Sequence, residues 1–252
     1  MACAGYRVQS LWKIKLSKSW KNLASGRWYK MRPHIFSISF FTAHFKRHET
    51  KKFRSSYFLP PPTVIWGIIG AIFGIERENL GKFAKENNLI VGAELCNFKG
   101  LATEKATLME YKDKTFIRTP EDFEFLIEPQ YKIGVYAKNS LNKELKERIE
   151  KRDFEFDIYG GISDCFLKDI KNENKAEFME KTEAKGMIPA DMIDGFSQIT
   201  EGSKIIRVLY LNTFFYQGFK VEFKIKEPIK TVNGIAVWSV DDVERFRKGD
   251  LE

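Results

Sequence analysis

Cysteine and histidine are scarce in this chain of 252 residues, with three of each. Cys3, Cys96 and Cys165 lie far apart and form no C-x-x-C pair, and no histidine follows His48. That is poor material for a zinc site, and reduced thiols in a cytoplasmic setting are the expectation. Asp157, Asp164 and Asp169 make no recognisable metal pair, and Asp164 reads as a turn residue after Gly160-Gly161. No metal and no cofactor is expected. No run reaches the roughly 18 apolar residues that a membrane helix requires; the longest, Val64 to Ile75, predicts a buried helix, so no membrane partner is expected. A secretory signal is excluded because no apolar segment follows the basic N-terminus. Internal repeats and low-complexity tracts are absent as well.

What is present is positive charge, unevenly placed. The formal net charge is +8, yet residues 1–30 carry seven basic side chains and no acid, which leaves +1 for the rest. Any nucleic-acid surface on the body must therefore be a local patch. The leader also holds Trp12, Trp20 and Trp28. Two readings stay open for it: a non-native or disordered stretch upstream of a start at Met31, or a basic aromatic arm that binds RNA or a partner.

The remaining pattern is α+β. IFSISFF (35–41) alternates as a strand, a polar loop covers 44–62, and TVIWGIIGAIFGI (63–75) predicts a helix. Gly67, Gly70 and Gly74 recur at helical spacing and predict a flat face packed on a sheet. Leu89–Phe98 and Leu101–Tyr111 read as a hairpin around Lys99-Gly100, followed by strands at 123–127 and 131–136 and a helix over 140–152. A strand pair interrupted by Gly160-Gly161 is expected over 154–170, and a polar excursion over 171–203. Strands are then expected at 205–216, 219–228 and 235–240, with a turn at Gly218 and a short capping helix over 241–246. This order predicts a ferredoxin-like (RRM-related) module over 31–153, with insertions, and a β-rich C-terminal part over 154–252.

The loop after the first strand is the richest in chemistry. Lys46, Arg47, Lys51, Lys52 and Arg54 face one acid, Glu49, and His44, Phe45, His48, Phe53, Tyr57 and the hydroxyls of Thr50, Ser55 and Ser56 lie among them. Phosphates are held by cations and hydroxyl donors, and unstacked bases by aromatic faces; this loop offers both. The opening strand, HFKR, SSYFLPPPTVIWGIIGAIFGI and YGGISDCFLKDI together resemble the RAMP superfamily of CRISPR-associated proteins, more narrowly its fifth Cas family. The residues that carry the resemblance are Ser56, Tyr57, Pro61, Pro62, Thr63, Gly67, Ile68, Ile69 and Gly74. It implies a subunit of a type I Cascade complex that caps the 5′ handle of the crRNA. Its neighbours would be a backbone RAMP subunit and a large subunit, with target DNA met indirectly through the complex. RNA-binding candidates are then His44, Lys46, Arg47, His48, Lys51, Lys52, Arg54, Ser55, Ser56 and Tyr57. One departure is that Thr231 to Val240 contains only Gly234, where many RAMP proteins carry a glycine-rich loop.

A branch of the same family cleaves precursor crRNA without metal, by acid–base chemistry of Tyr, Lys and His. His44, His48, Lys46 and Tyr57 supply the residue types, but that branch carries its Lys and His adjacent in a later segment. The expectation is a non-catalytic RNA-binding subunit, with endoribonuclease as the alternative. An ordinary RRM is disfavoured because the RNP1 aromatic consensus is missing.

Overall fold

The computed structural model describes residues 31–47, 53–112, 114–210 and 213–248. Within these the strands are β1 (Met31–Phe40), β2 (Thr42–Ala43), β3 (Phe45–Lys46), β4 (Phe53–Arg54), β5 (Ser56–Tyr57), β6 (Ile90–Asn97), β7 (Gly100–Lys112) and β8 (Thr115–Ile127). They continue as β9 (Gln130–Lys138), β10 (Leu167–Asn172), β11 (Phe178–Ala184), β12 (Met187–Pro189), β13 (Ile193–Tyr210), β14 (Thr213–Val232) and β15 (Ile235–Ala236). The helices are α1 (Pro62–Phe73), α2 (Leu80–Glu86), α3 (Asn139–Lys151) and α4 (Val240–Lys248). The described residues from Arg32 onward gather into one compact unit.

The main sheet runs β10-β1-β9-β6-β14-β11, with α1 packed on β6 and α3 on β9 and β10. Its first four strands thus follow a β-α-β-β-α-β chain order. β10 comes from beyond residue 153 and pairs with β1 through Ile38↔Ile170, so the N-terminal sheet draws on the C-terminal segment. Phe36, Ile38 and Phe40 of β1, Tyr131, Ile133 and Val135 of β9, and Ile65, Ile69 and Ile72 of α1 are buried in the core. α1 starts where expected because Pro62 occupies its first turn, where no backbone donor is needed and a fixed φ helps. It stops at Gly74, which takes the left-handed conformation at φ 69°.

Several expectations are corrected. The glycines of α1 do not line the sheet: a Cβ on Gly70 would lie 2.3 Å from Leu80 Cδ2, facing α2, and Gly67 has open space. The close backbone approach occurs instead at Gly92 and Gly134, which are ladder partners on β6 and β9. A Cβ on Gly92 would sit 1.8 Å from the Ala236 carbonyl oxygen, and one on Gly134 would sit 3.0 Å from Val232 Cβ.

The Leu89–Phe98 segment does not pair with Leu101–Tyr111. β6 pairs with β9, while β7 pairs with β8 along its whole length, from Gly100↔Ile127 to Lys112↔Thr115. Lys99-Gly100 is where the chain leaves the sheet for this hairpin, and Lys114 turns it at φ 64°. The stretch 154–170 is mostly loop with a single Tyr159↔Phe166 bridge before β10. Residues 171–203, expected to be an irregular excursion, hold β11, β12 and much of β13. β11 lies almost wholly exposed, so no apolar alternation announced it. β14 runs straight through Gly218, and the turn falls between Tyr210 and Thr213. Gly218 is needed for space, since its Cβ would lie 2.8 Å from Val221 Cβ. The C-terminal helix forms as expected. Ser239 and Asp242 cap it reciprocally, with Ser239 N–H donating to Asp242 Oδ2 at 2.9 Å and Asp242 N–H to Ser239 Oγ at 3.2 Å.

Candidate nucleic-acid interface

The polar loop is closed at its base by β3 and β5, which pair through Phe45↔Tyr57 and Lys46↔Ser56. β4 then pairs with β8 through Arg54↔Phe123, fastening the loop to the long β7–β8 hairpin. Ser56 is buried and saturated: its Oγ accepts from Phe45 N–H at 3.0 Å and donates to the Tyr57 carbonyl at 2.8 Å. Its own N–H donates to Glu124 Oε1 at 3.2 Å. Tyr57 is buried as well, and its hydroxyl donates to the Leu209 carbonyl at 2.8 Å. Beyond it, the amides of Phe58 and Leu59 both donate to Gln217 Oε1, at 3.1 and 3.2 Å.

His44 is enclosed between the rings of Phe123 and Phe125, each 5.5 Å away. Its Nδ1 donates to the Glu124 carbonyl at 2.8 Å, an acceptor that fixes the tautomer and leaves Nε2 as a bare, buried acceptor. Burial, above all, holds its pKa below the ordinary imidazole value. The Gly160-Gly161 pair completes this corner. His44 N–H donates to the Gly160 carbonyl at 2.8 Å, and a Cβ on Gly161, at φ 101°, would fall 2.1 Å from the His44 carbonyl oxygen. The two segments that carry the family resemblance therefore meet at the root of the basic loop.

The candidate residues separate on this geometry. His44, Ser56 and Tyr57 are framework residues, and a ligand in solvent does not reach their polar atoms. Arg54 is committed to Glu121, with its guanidinium 5.0 Å from the Phe123 ring centroid. Ser55 is half-buried, and its carbonyl accepts from Arg47 N–H at 3.0 Å. Lys46 is exposed on β3. His48, Lys51 and Lys52 lie outside the described residues. Sequence reasoning weighed residue types in this loop without seeing that alternate positions of a two-stranded stem must face inward.

The thiols of Cys96 and Cys165 are free. Burial pushes Cys96 up to about 11 and raises Cys165 too, which makes both inert as nucleophiles at neutral pH.

A family model described as CRISPR-associated protein (Cas_Cas5) matches residues 35–157. The chain is similar to this family over those residues, just under half of its length. The match contains the whole polar loop, α1 and the β7–β8 hairpin, and it ends just before Gly160-Gly161. Among solved structures, one titled as a CRISPR RNA-guided surveillance complex is 8% identical, covering 86% of this chain and 100% of its own at a TM-score of 0.47. A CRISPR-associated protein is 16% identical over 82% of this chain and 91% of its own, with a TM-score of 0.36. A functionally uncharacterized protein from Streptococcus mutans is 14% identical over 77% and 92%, also at 0.36. No curated protein matches the sequence.

Proposed function

We propose that the chain is a non-catalytic RNA-binding subunit of a type I Cascade complex, holding the 5′ handle of the crRNA in the cytoplasm. Its neighbours on this reading are the backbone RAMP subunit and the large subunit, and its β-α-β-β-α-β sheet is read as the ferredoxin-like RAMP module. The observation that carries the proposal is the construction of the basic loop. A stem whose Ser56 and Tyr57 hydroxyls are bonded within the protein carries a loop whose sequence from Lys46 to Lys52 holds four cations and one acid. A fixed stem that carries such a cation-rich sequence suits the binding of backbone phosphates.

The same geometry supports the non-catalytic side of the reading. Metal-free RNA cleavage needs a base at a 2′-hydroxyl and an acid at the leaving 5′-oxygen. His44 is shut away with its proton affinity lowered, and the Tyr57 hydroxyl is spent on Leu209.

The test is binding of a crRNA handle across salt, with Lys46, Lys51 and Lys52 changed together to Ala. For single strands the slope is roughly 0.7 per phosphate contact, so three lost contacts should flatten it by about 2. An unchanged slope would place the RNA elsewhere. The same mixtures, held in EDTA with labelled repeat RNA, should yield no discrete product. A product ending in a cyclic phosphate would make the chain a nuclease.

A further inference from the structure

Residues 202–221 hold Lys204, Arg207 and Lys220 and no acid, and Tyr210, Phe214, Phe215, Tyr216 and Phe219 lie among them. The pairing of β13 with β14 sorts this stretch by face. Val208 opposite Phe215 points into the core, and both are buried. The pairs on either side, Arg207↔Tyr216 and Leu209↔Phe214, therefore share the opposite face. On that face the Arg207 guanidinium carbon lies 4.6 Å from the Phe214 ring centroid and 5.9 Å from that of Tyr216. Phe214 is 49% exposed. A cation–π contact explains where Arg207 rests, but it leaves unexplained why a phenylalanine stands half in water at the end of a hairpin.

Position supplies the second observation. The same hairpin receives the stem of the basic loop: Tyr57 donates to the Leu209 carbonyl, and Gln217 accepts from Phe58 and Leu59. The hairpin that carries the aromatic face is thus fastened to the stem of the loop, by Tyr57 at the Leu209↔Phe214 rung and by Phe58 and Leu59 at the Ile206↔Gln217 rung.

We propose that Arg207, Phe214 and Tyr216 form a stacking platform for unpaired bases of the single-stranded RNA whose phosphates the loop holds. This rests on the function proposed above. The chemistry fits such a partner: aromatic faces and a guanidinium plane accept any base, and the stretch 202–221 itself carries no acid. An acidic or apolar protein partner would use the same charge but would not need an exposed ring beside a phosphate-binding loop.

The experiment uses the full chain and a short single-stranded RNA carrying 2-aminopurine, whose fluorescence is quenched on stacking. Phe214→Ala should weaken binding about tenfold and abolish the quenching, with the salt slope unchanged. Phe214→Trp, which keeps an aromatic face, should retain both. The Lys46/Lys51/Lys52 variant should show the converse, a flatter slope with quenching kept. If Phe214→Ala and Arg207→Ala bind and quench as wild type while the lysine variant fails, the platform is wrong and the loop reading survives. If a folded Phe214→Trp loses as much as Phe214→Ala, the ring serves packing and not stacking, which also overturns the proposal. Wild-type protein that binds no RNA sinks the function itself and the platform with it.

Discussion

The two long hairpins share an architecture and differ in what they touch. β7 and β8 pair over 13 residues each, yet of their described side chains only Glu121 and Leu126 are buried. Met109, Tyr111, Phe116 and Ile117 stand exposed toward the far end, with Tyr111 and Phe116 rings 5.1 Å apart. β14, in contrast, lays Phe215, Gln217, Phe219, Val221, Phe223 and Ile225 into the core, and Phe215 meets Phe246 of α4 at 5.0 Å. Beyond its base, where β8 also pairs with β2 and β4, the first hairpin is held by its own ladder, and the second is held by the body of the protein. Hydrogen bonds across a ladder set a strand's path, but burial of apolar surface is what couples it to global stability.

That contrast can be broken by mutation. Phe215→Ala empties a fully buried ring position and should destabilise the protein by about 3–5 kcal/mol, read from urea or thermal melts. A loss under about 1 kcal/mol would mean that β13 and β14 are as independent of the core as β7 and β8.

A pH experiment sharpens the same boundary on the body side. Burial, above all, lowers the His34 pKa to about 4, against 6.5 in the unfolded chain. Between those values the unfolded state binds more protons, so stability is full at neutral pH and falls as pH drops from about 6.5 to about 4. The shift amounts to up to about 3 kcal/mol. Because carboxylates titrate in part of this window, the measurement is the difference between wild type and His34→Gln. The variant should show a shallower decline, and identical curves would remove His34 as the cause.

Tyr57→Phe deletes the hydroxyl that ties the loop stem to β13 and leaves the Leu209 carbonyl without that donor. The expected cost is about 1 kcal/mol in stability. At the far end of β8, Phe116→Ser should change the melting free energy by less than about 0.5 kcal/mol. A larger effect there would show that the hairpin end is packed against something.

Much of the site was legible in sequence because its signals are local. Three prolines before an apolar run announce a helix start, five cations in nine residues announce a basic loop, and S-V-D-D announces the cap of the last helix. The roles within the loop were not legible. Ser56, Tyr57 and His44 have the right chemistry for RNA, and only their partners, Glu124, Phe123, Phe125 and Leu209, reveal that they face inward. Each of these partners lies dozens of residues away or more. The acid-free, aromatic-rich stretch 202–221, which holds the proposed platform of Arg207, Phe214 and Tyr216, was read from sequence only as strand.

By itself, then, the chain's order of residues determined the α+β class, the family likeness, the opening strand, α1 and α4, because periodicity, caps and motifs act over a few residues. The tertiary structure alone decided which strands pair: β6 with β9, β7 with β8, and β10 beside β1. It also decided that Gly92 and Gly134, not the glycines of α1, receive a crossing chain. The physical reason is that a strand's apolar pattern states which face it buries and leaves open the partner along its edge. Backbone hydrogen bonds are the same for every partner, and the choice falls to packing between residues distant in sequence.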